Sequence, residues 1–395
     1  MVARVPGDPG VREDANEGLP MIEHPVADEG HQWDEAMRRA VELATNSPVP
    51  DPNPRVGCLL IGPAGQVLGR GWHHGAGTAH AEVEALRDAA RAGLPSSQGT
   101  AQLPAGSTAV VSLEPCNHTG RTGPCAQALL AAGVDRVVIG QSDPNPLAAG
   151  GAQTLAAAGV EVITGVLTGE AMALNPDWTF AITHGRPKVV WKYAATLDGR
   201  SAAADGTSQW ITSAPARARV HAGRAICGAV MVGTGTALAD DPRLTVRDDR
   251  GVEAGHQPLR VVVGERPLPA GSRLRDDSAA TLQIFSHQPD QVLAELHRRG
   301  IHRVWLEGGA RLAGAFWRAG LVDEVIGYIG PRLLGAGPGT LADAGVATIA
   351  DAHQLTIDSV SMVGPDVEIR AHPARTGETS NQEPATVLGG RRDRR

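Results

Sequence analysis

The chain has 395 residues, a net charge of −7, 42% hydrophobic and 20% charged residues, and only four cysteines. Its length predicts two domains, and the acidic balance excludes a general electrostatic footprint for nucleic acid. No apolar run approaches the roughly 18 residues that span a bilayer and no secretory leader is legible, so a cytoplasmic location with reduced thiols is expected.

Residues 1–30 are rich in Pro, Gly, Asp and Glu without a period, and residues 372–395 resemble them, so both are expected to be disordered tails. "WDEAMRRAVELATN" places Met37, Ala40, Val41 and Ala44 at helical spacing. "RVGCLLIG" and "QVLGRGW" flank Pro63-Ala64-Gly65 and predict a hairpin. "HAEVEALRDAARAG" predicts a helix ending at Gly93. "STAVVSLEP" predicts a strand, "CAQALLAAG" a helix and "VDRVVIG" a strand, and "GAQTLAAAG" with "VEVITG" repeats the unit. This alternation predicts an α/β sandwich over 31–176.

A break falls at 177–186, read as a linker. A second alternating series follows from "KVVWKYAATLDGR" through "GAVMVGTGTAL", "LRVVVGE" and "HRVWLEGG" to "DEVIGYIGPRLLG". It predicts a second α/β domain over 187–371.

"EPCNHTGRTGPC" spends two of the four cysteines nine positions apart. Upstream, "TAHAEVEAL" puts His80 and Glu82 in the first turn of a helix. His80, Cys116 and Cys125 supply one nitrogen and two sulfurs, the donors zinc prefers, and leave its fourth position open for water. Cys125 opens a helix, whose positive end favours a thiolate. Glu82 is then placed to move protons to and from that water without ligating, the signature of zinc nucleobase deaminases. Cys58 and Cys227 sit in apolar patterns and read as small core residues.

Eight residues separate the two cysteines here, whereas nucleobase deaminases often carry a gap of about two. Arg121, inside that gap, suits a phosphate. In the second half no dinucleotide fingerprint occurs: "VGTGTALADDP" lacks the third glycine. "VWLEGGARLAGAF" instead offers an apolar strand, Gly308-Gly309 and a helix, a candidate anion cradle at a helix N-terminus.

"DPNPRVGCLLIG", "HAEVEAL" and "SLEPCNHTGRTGPCAQALLAAGVDRVV" resemble the deaminase half of the bifunctional riboflavin-biosynthesis family. "KYAATLDGR", "SQWITS", "VGTGTALADDPRLTVR" and "LEGG" resemble its reductase half, in the right order. The resemblance implies a cytidine-deaminase-like α/β/α domain followed by a dihydrofolate-reductase-like α/β domain. It implies one zinc ion, NADPH, and a small phosphoribosyl pyrimidine as substrate. A homo-oligomer is expected, with neither nucleic acid nor membrane as partner.

By that resemblance Asn53 contacts the pyrimidine, and His118 and Arg121 help hold the substrate. Ala194, Trp210, Thr236, Asp240, Gly308 and Gly309 line the NADPH site. Ser208, Arg224, Leu244, Arg247 and Glu307 line the second substrate site, with Arg224 and Arg247 as phosphate clamps and Lys192 and Glu307 near the ribose. A different zinc deaminase acting on tRNA or cytidine is the competing expectation.

Overall fold

A computed structural model describes residues 32–118 and 123–374. The readings on residues 1–30, on Arg121 and on the tail from 375 lie outside the described residues; residues 372 and 373, also read as tail, lie in the last strand. The chain separates into two compact units, Met1–Thr183 and His184–Arg395.

The first unit begins with α1 (Asp34–Ala44), β1 (Gly57–Ile61), β2 (Val67–Trp72) and α2 (Ala81–Arg91). A small hairpin of β3 (Ser96–Ser97) and β4 (Thr100–Ala101) leads to β5 (Thr108–Leu113), α3 (Cys125–Ala132), β6 (Arg136–Gln141), α4 (Gly151–Ala157) and β7 (Glu161–Thr164). Helices α5 (Thr168–Ala173) and α6 (Pro176–His184) follow.

The main sheet runs β2-β1-β5-β6-β7, antiparallel at β2-β1-β5 and parallel from β5 to β7. Alternation along β1 sends Leu59 and Ile61 into one core with Met37 and Ala40, and Cys58 and Leu60 into the other with Ala85 and Leu129. Each fully buried Leu or Met there is worth about 1.5–3 kcal/mol. A Cβ at Gly71 would stand 2.1 Å from the Ala81 carbonyl oxygen, so this glycine lets the start of α2 lie directly on β2.

The segment read as a linker is mostly helical. In α6, Pro176 and Asp177 occupy the first turn and Trp178 and Ala181 are buried. Asn175, just before it, accepts from the Arg55 amide at 2.7 Å and donates to the Arg55 carbonyl at 2.8 Å.

The second unit holds β8 (Lys188–Thr196), α7 (Ala214–Ala225), β9 (Ala229–Gly233), α8 (Thr234–Asp240), β10 (Leu259–Val263), β11 (Thr281–Ile284) and α9 (Pro289–Arg298). It continues with β12 (Arg303–Glu307), α10 (Ala310–Arg318), β13 (Glu324–Gly330), β14 (Leu355–Val363) and β15 (Asp366–Pro373). Its sheet runs β11-β10-β9-β12-β8-β13-β15-β14, parallel through β13 and antiparallel at β15 and β14.

Val189, Trp191, Met231 and Leu306 pack with Phe316 and Trp317 of α10 on one face. Val190, Val230, Val262 and Trp305 pack with Ala216 and Val220 of α7 on the other. "GAVMVGTGTAL" divides at Gly233 into a strand and a helix. The closing β14–β15 hairpin was not among the predicted elements.

Candidate active sites

In the first unit α2 begins at Ala81, so His80 is its N-cap residue with extended backbone (ψ 163°), and Glu82 lies in its first turn. Cys125 is the first residue of α3. The Nδ1 of His80 lies 3.2 Å from Cys125 Sγ and 3.5 Å from Cys116 Sγ, and the Cys125 amide donates to Cys116 Sγ at 3.4 Å. All three donor atoms fall within 4.8 Å of one another, and Cys116 and Cys125 are buried. This spacing matches ligands about 2.0–2.3 Å from a shared tetrahedral ion.

The electrostatics agree with a cation. The Cys125 thiol hydrogen bond draws Cys116 well below the ordinary thiol range against the opposing effect of burial, with His80 adding to it, which favours a thiolate there. A bound divalent cation would ionise the second thiol as well. Glu82 is 3% exposed, and burial raises its carboxyl above the ordinary glutamate range. The donor set fits zinc.

Three groups that the sequence reading did not single out surround this triad. His73 is buried, its ring meets that of His80 edge-on at 5.7 Å, and its Nε2 lies 3.1 Å from Asn53 Nδ2. Asn53 is therefore brought to the metal cluster through His73. Glu114 accepts at 3.1 Å from each of the amides of Asp143, Gly150 and Ala152, which ties the loop before Cys116 to the start of α4. Asp143 is lifted to about 6 by burial, with Glu114 and Cys116 adding to it. The signals for these residues were the doublet "WHHG" and the Glu two places before Cys116. His118 is exposed beside the cluster, and Arg121 lies outside the described residues.

In the second unit Thr236, just after β9, and Glu307, at the end of β12, lie at the C-terminal ends of parallel strands, where ligands of open α/β sheets bind. Lys192 of β8 and Glu307 at the end of β12 are direct register partners. Glu307 accepts from Arg224 at 2.6 and 2.8 Å and from Trp305 Nε1 at 2.6 Å.

Arg224, expected as a phosphate clamp, thus holds Glu307 with two nitrogens and donates to the Thr245 carbonyl at 2.9 Å with the third. Its guanidinium is largely committed within the protein. Burial by itself would raise Glu307, but Arg224 and then Lys192 outweigh it and hold the carboxyl at about 2. Burial lowers Lys192, with Glu307 opposing and Arg224 assisting.

This network carries a pH dependence. The unfolded chain protonates Glu307 near 4.3, whereas the folded chain keeps it ionised to about 2. The stabilisation, about 3 kcal/mol, is complete above pH 4.3 and is lost as pH falls toward 2. Thermal unfolding of the second unit between pH 5 and 3 should show the midpoint falling, and the fall should shrink in Glu307→Gln.

Gly308 and Gly309 have φ of +99° and +70°, and a Cβ on either would stand 3.2 Å from the side chain of Thr236. The double-glycine turn before α10 and Thr236 of α8 therefore form one wall. Ala194 lies in β8, Asp240 is exposed at the end of α8, and Ser208 is half-buried. Trp210 is 59% exposed, with the Arg217 guanidinium 4.3 Å from its ring centre. Leu244 is buried with φ +53°.

Comparison with known proteins matches both units. Residues 31–141 match the cytidine and deoxycytidylate deaminase zinc-binding region, and residues 187–369 match the RibD C-terminal domain. The riboflavin biosynthesis protein RibD of Mycobacterium tuberculosis is 47% identical over 337 residues, 85% of this chain and 95% of that protein. The Escherichia coli RibD is 40% identical over 374 residues, 84% of this chain and 96% of that protein.

A solved Acinetobacter baumannii RibD superposes with a TM-score of 0.75 at 36% identity, covering 88% of this chain and all of that one. A Thermotoga maritima structure, described as a diaminohydroxyphosphoribosylaminopyrimidine deaminase/5-amino-6-(5-phosphoribosylamino)uracil reductase, gives 0.73 at 31% identity with the same coverage. With relatives this similar over most of its length, with a zinc-type donor set in one unit and a RibD C-terminal domain match over the other, the chain belongs to the RibD family of riboflavin-biosynthesis enzymes.

Proposed function

We propose that residues 31–176 deaminate 2,5-diamino-6-(5-phosphoribosylamino)pyrimidin-4(3H)-one to 5-amino-6-(5-phosphoribosylamino)uracil. Residues 187–371 then reduce the ribosyl group to the ribityl chain with NADPH. The observation that carries the first assignment is the triad of His80, Cys116 and Cys125 within 4.8 Å, with buried Glu82 two residues from the histidine.

His80, Cys116 and Cys125 hold zinc, which when bound acidifies a water molecule toward neutral pH. Glu82 takes up a proton on its carboxylate and returns it to the departing amine nitrogen, so water enters and ammonia leaves. Burial supports that role, because it raises the carboxyl above the ordinary glutamate range and so strengthens it as a proton acceptor. Asn53, with His73 behind it, orients the pyrimidine, and His118 and Arg121 help hold the substrate.

In the second site NADPH, when bound, would supply the hydride that the ribosyl C1′ needs, and the protein must give a proton to the ring oxygen that leaves C1′. Glu307, held as a carboxylate, is a poor proton donor at neutral pH, which leaves Lys192 as the donor facing the sugar. Ala194, Trp210, Thr236, Asp240, Gly308 and Gly309 receive the cofactor. Ser208, Leu244 and Arg247, with the Arg224–Glu307 pair, receive the substrate. The enzyme acts in the cytoplasm as a homo-oligomer, without nucleic acid or membrane; among the described residues no helix is long and apolar enough to cross a bilayer.

Metal removal tests this reading. Dialysis against a chelator should strip about one zinc per chain and abolish ammonia release, while NADPH oxidation with the deaminated pyrimidine continues. Added zinc should restore ammonia release. Full deaminase activity in zinc-free protein would contradict the assignment.

A further inference from the structure

The segment 244–247 carries two of the expected substrate residues yet forms no strand. Leu244 sits in the left-handed region, and four consecutive main-chain polar groups after it are each met by a side chain. The Thr245 carbonyl accepts from Arg224 Nη1 at 2.9 Å. The Val246 amide donates to Gln257 Oε1 at 2.7 Å, and the Val246 carbonyl accepts from Gln257 Nε2 at 2.9 Å. The Arg247 amide donates to His221 Nδ1 at 3.2 Å.

His221 and Arg224 lie one turn apart on the same side of α7, so a single helix grips the segment at two points. The Arg247 Nε is buried and makes no hydrogen bond among the described residues. Its main chain is also held by an antiparallel bridge to Glu253, and the Val246 carbonyl accepts from the Ala254 amide at 3.0 Å.

We propose that His221 is a positioning residue of the reductase, which with Gln257 locks residues 244–247 in the shape that presents Arg247 to the phosphate of the substrate. This rests on the reading of Arg247 as a substrate-binding residue. The Arg247 amide takes the lone pair of His221 Nδ1, so the contact requires the tautomer with its proton on Nε2; burial, and then Arg224 and Arg247, lower His221 below its ordinary value, with Glu307 and the Thr245 carbonyl opposing. A segment ordered during folding does not have to be ordered again when substrate binds, so the gain appears as affinity.

Steady-state reduction of 5-amino-6-(5-phosphoribosylamino)uracil by NADPH tests this in the full-length, zinc-loaded chain. His221→Ala should raise KM for the pyrimidine about five- to tenfold, the loss of one buried hydrogen bond, with kcat changed less than about twofold. His221→Asn, whose Oδ1 falls near the place of Nδ1, should recover most of that affinity. Ammonia release should be unchanged in both.

Arg247→Ala should raise KM at least as much, and adding His221→Ala to it should change KM little further. An unchanged KM in Arg247→Ala would refute the substrate reading of Arg247. A raised KM there, with His221→Ala normal, fully additive with it, or unrescued by His221→Asn, would refute the positioning role. Should His221→Ala not fold, Gln257→Glu carries the test: it keeps the acceptor for Val246 but loses the donor, and an unchanged KM would again refute the proposal.

Discussion

Glu82→Gln should bind zinc normally and lose ammonia release by about 10²–10⁴-fold, the usual contribution of a positioned proton carrier. Glutamine keeps the shape of the side chain and removes only its capacity to take up a proton. Glu82 is 3% exposed and its carboxyl is raised by burial, so the amide removes a charge that folding already disfavours. The fold should therefore survive, and NADPH oxidation on the deaminated pyrimidine should stay normal. The check is zinc stoichiometry, ammonia release and NADPH oxidation measured on one preparation. Near-normal deamination in this variant would remove Glu82 from the mechanism.

Glu307→Gln should damage the second site and spare the first. The carboxylate takes three hydrogen bonds, two from Arg224 and one from Trp305, and lies opposite Lys192 across the β8–β12 ladder. Removing one member of a buried ion pair typically costs about 3–5 kcal/mol, because the remaining charge stays buried without compensation. Glutamine can still accept from Trp305, but its amide nitrogen would meet an N–H of Arg224.

NADPH oxidation should fall at least tenfold and the unfolding midpoint of the second unit should drop, while ammonia release holds. Unfolding indistinguishable from that of the unaltered chain would show that the network contributes little stability. Loss of both activities together would show that the two sites are not independent.

The zinc donors were legible because metal chemistry restricts residue type so strongly. One His and two Cys, with a Glu two residues on and helix starts in the right places, leave few alternatives. The surrounding shell was not legible, since His73 and Glu114 matter through what they touch. His73 reaches Asn53 and His80, and Glu114 collects three amides from a loop some thirty residues downstream.

Arg224 shows the same limit from the other side. Its residue type suggested a phosphate, but whether an arginine faces solvent or a buried carboxylate depends on how α7 packs on β12. The fold class followed from alternating periodicity, as did most elements. The helix α6 was missed although Pro176 and Asp177 are a helix-start signal, because its short apolar pattern was weak. The hairpin of β14 and β15 was missed because β14 is largely exposed and its alternation slips at the irregularity between Ile357 and Ser359.

The central claim is two separate sites acting in a fixed order. Purified chain should be given the diaminopyrimidine phosphoribosyl substrate, with and without NADPH, while ammonia release and NADPH consumption are followed together. The account predicts full ammonia release without NADPH, and NADPH oxidation that begins only after deaminated product has formed. NADPH oxidation that precedes ammonia release, or ammonia release with no NADPH use under any condition, would contradict it.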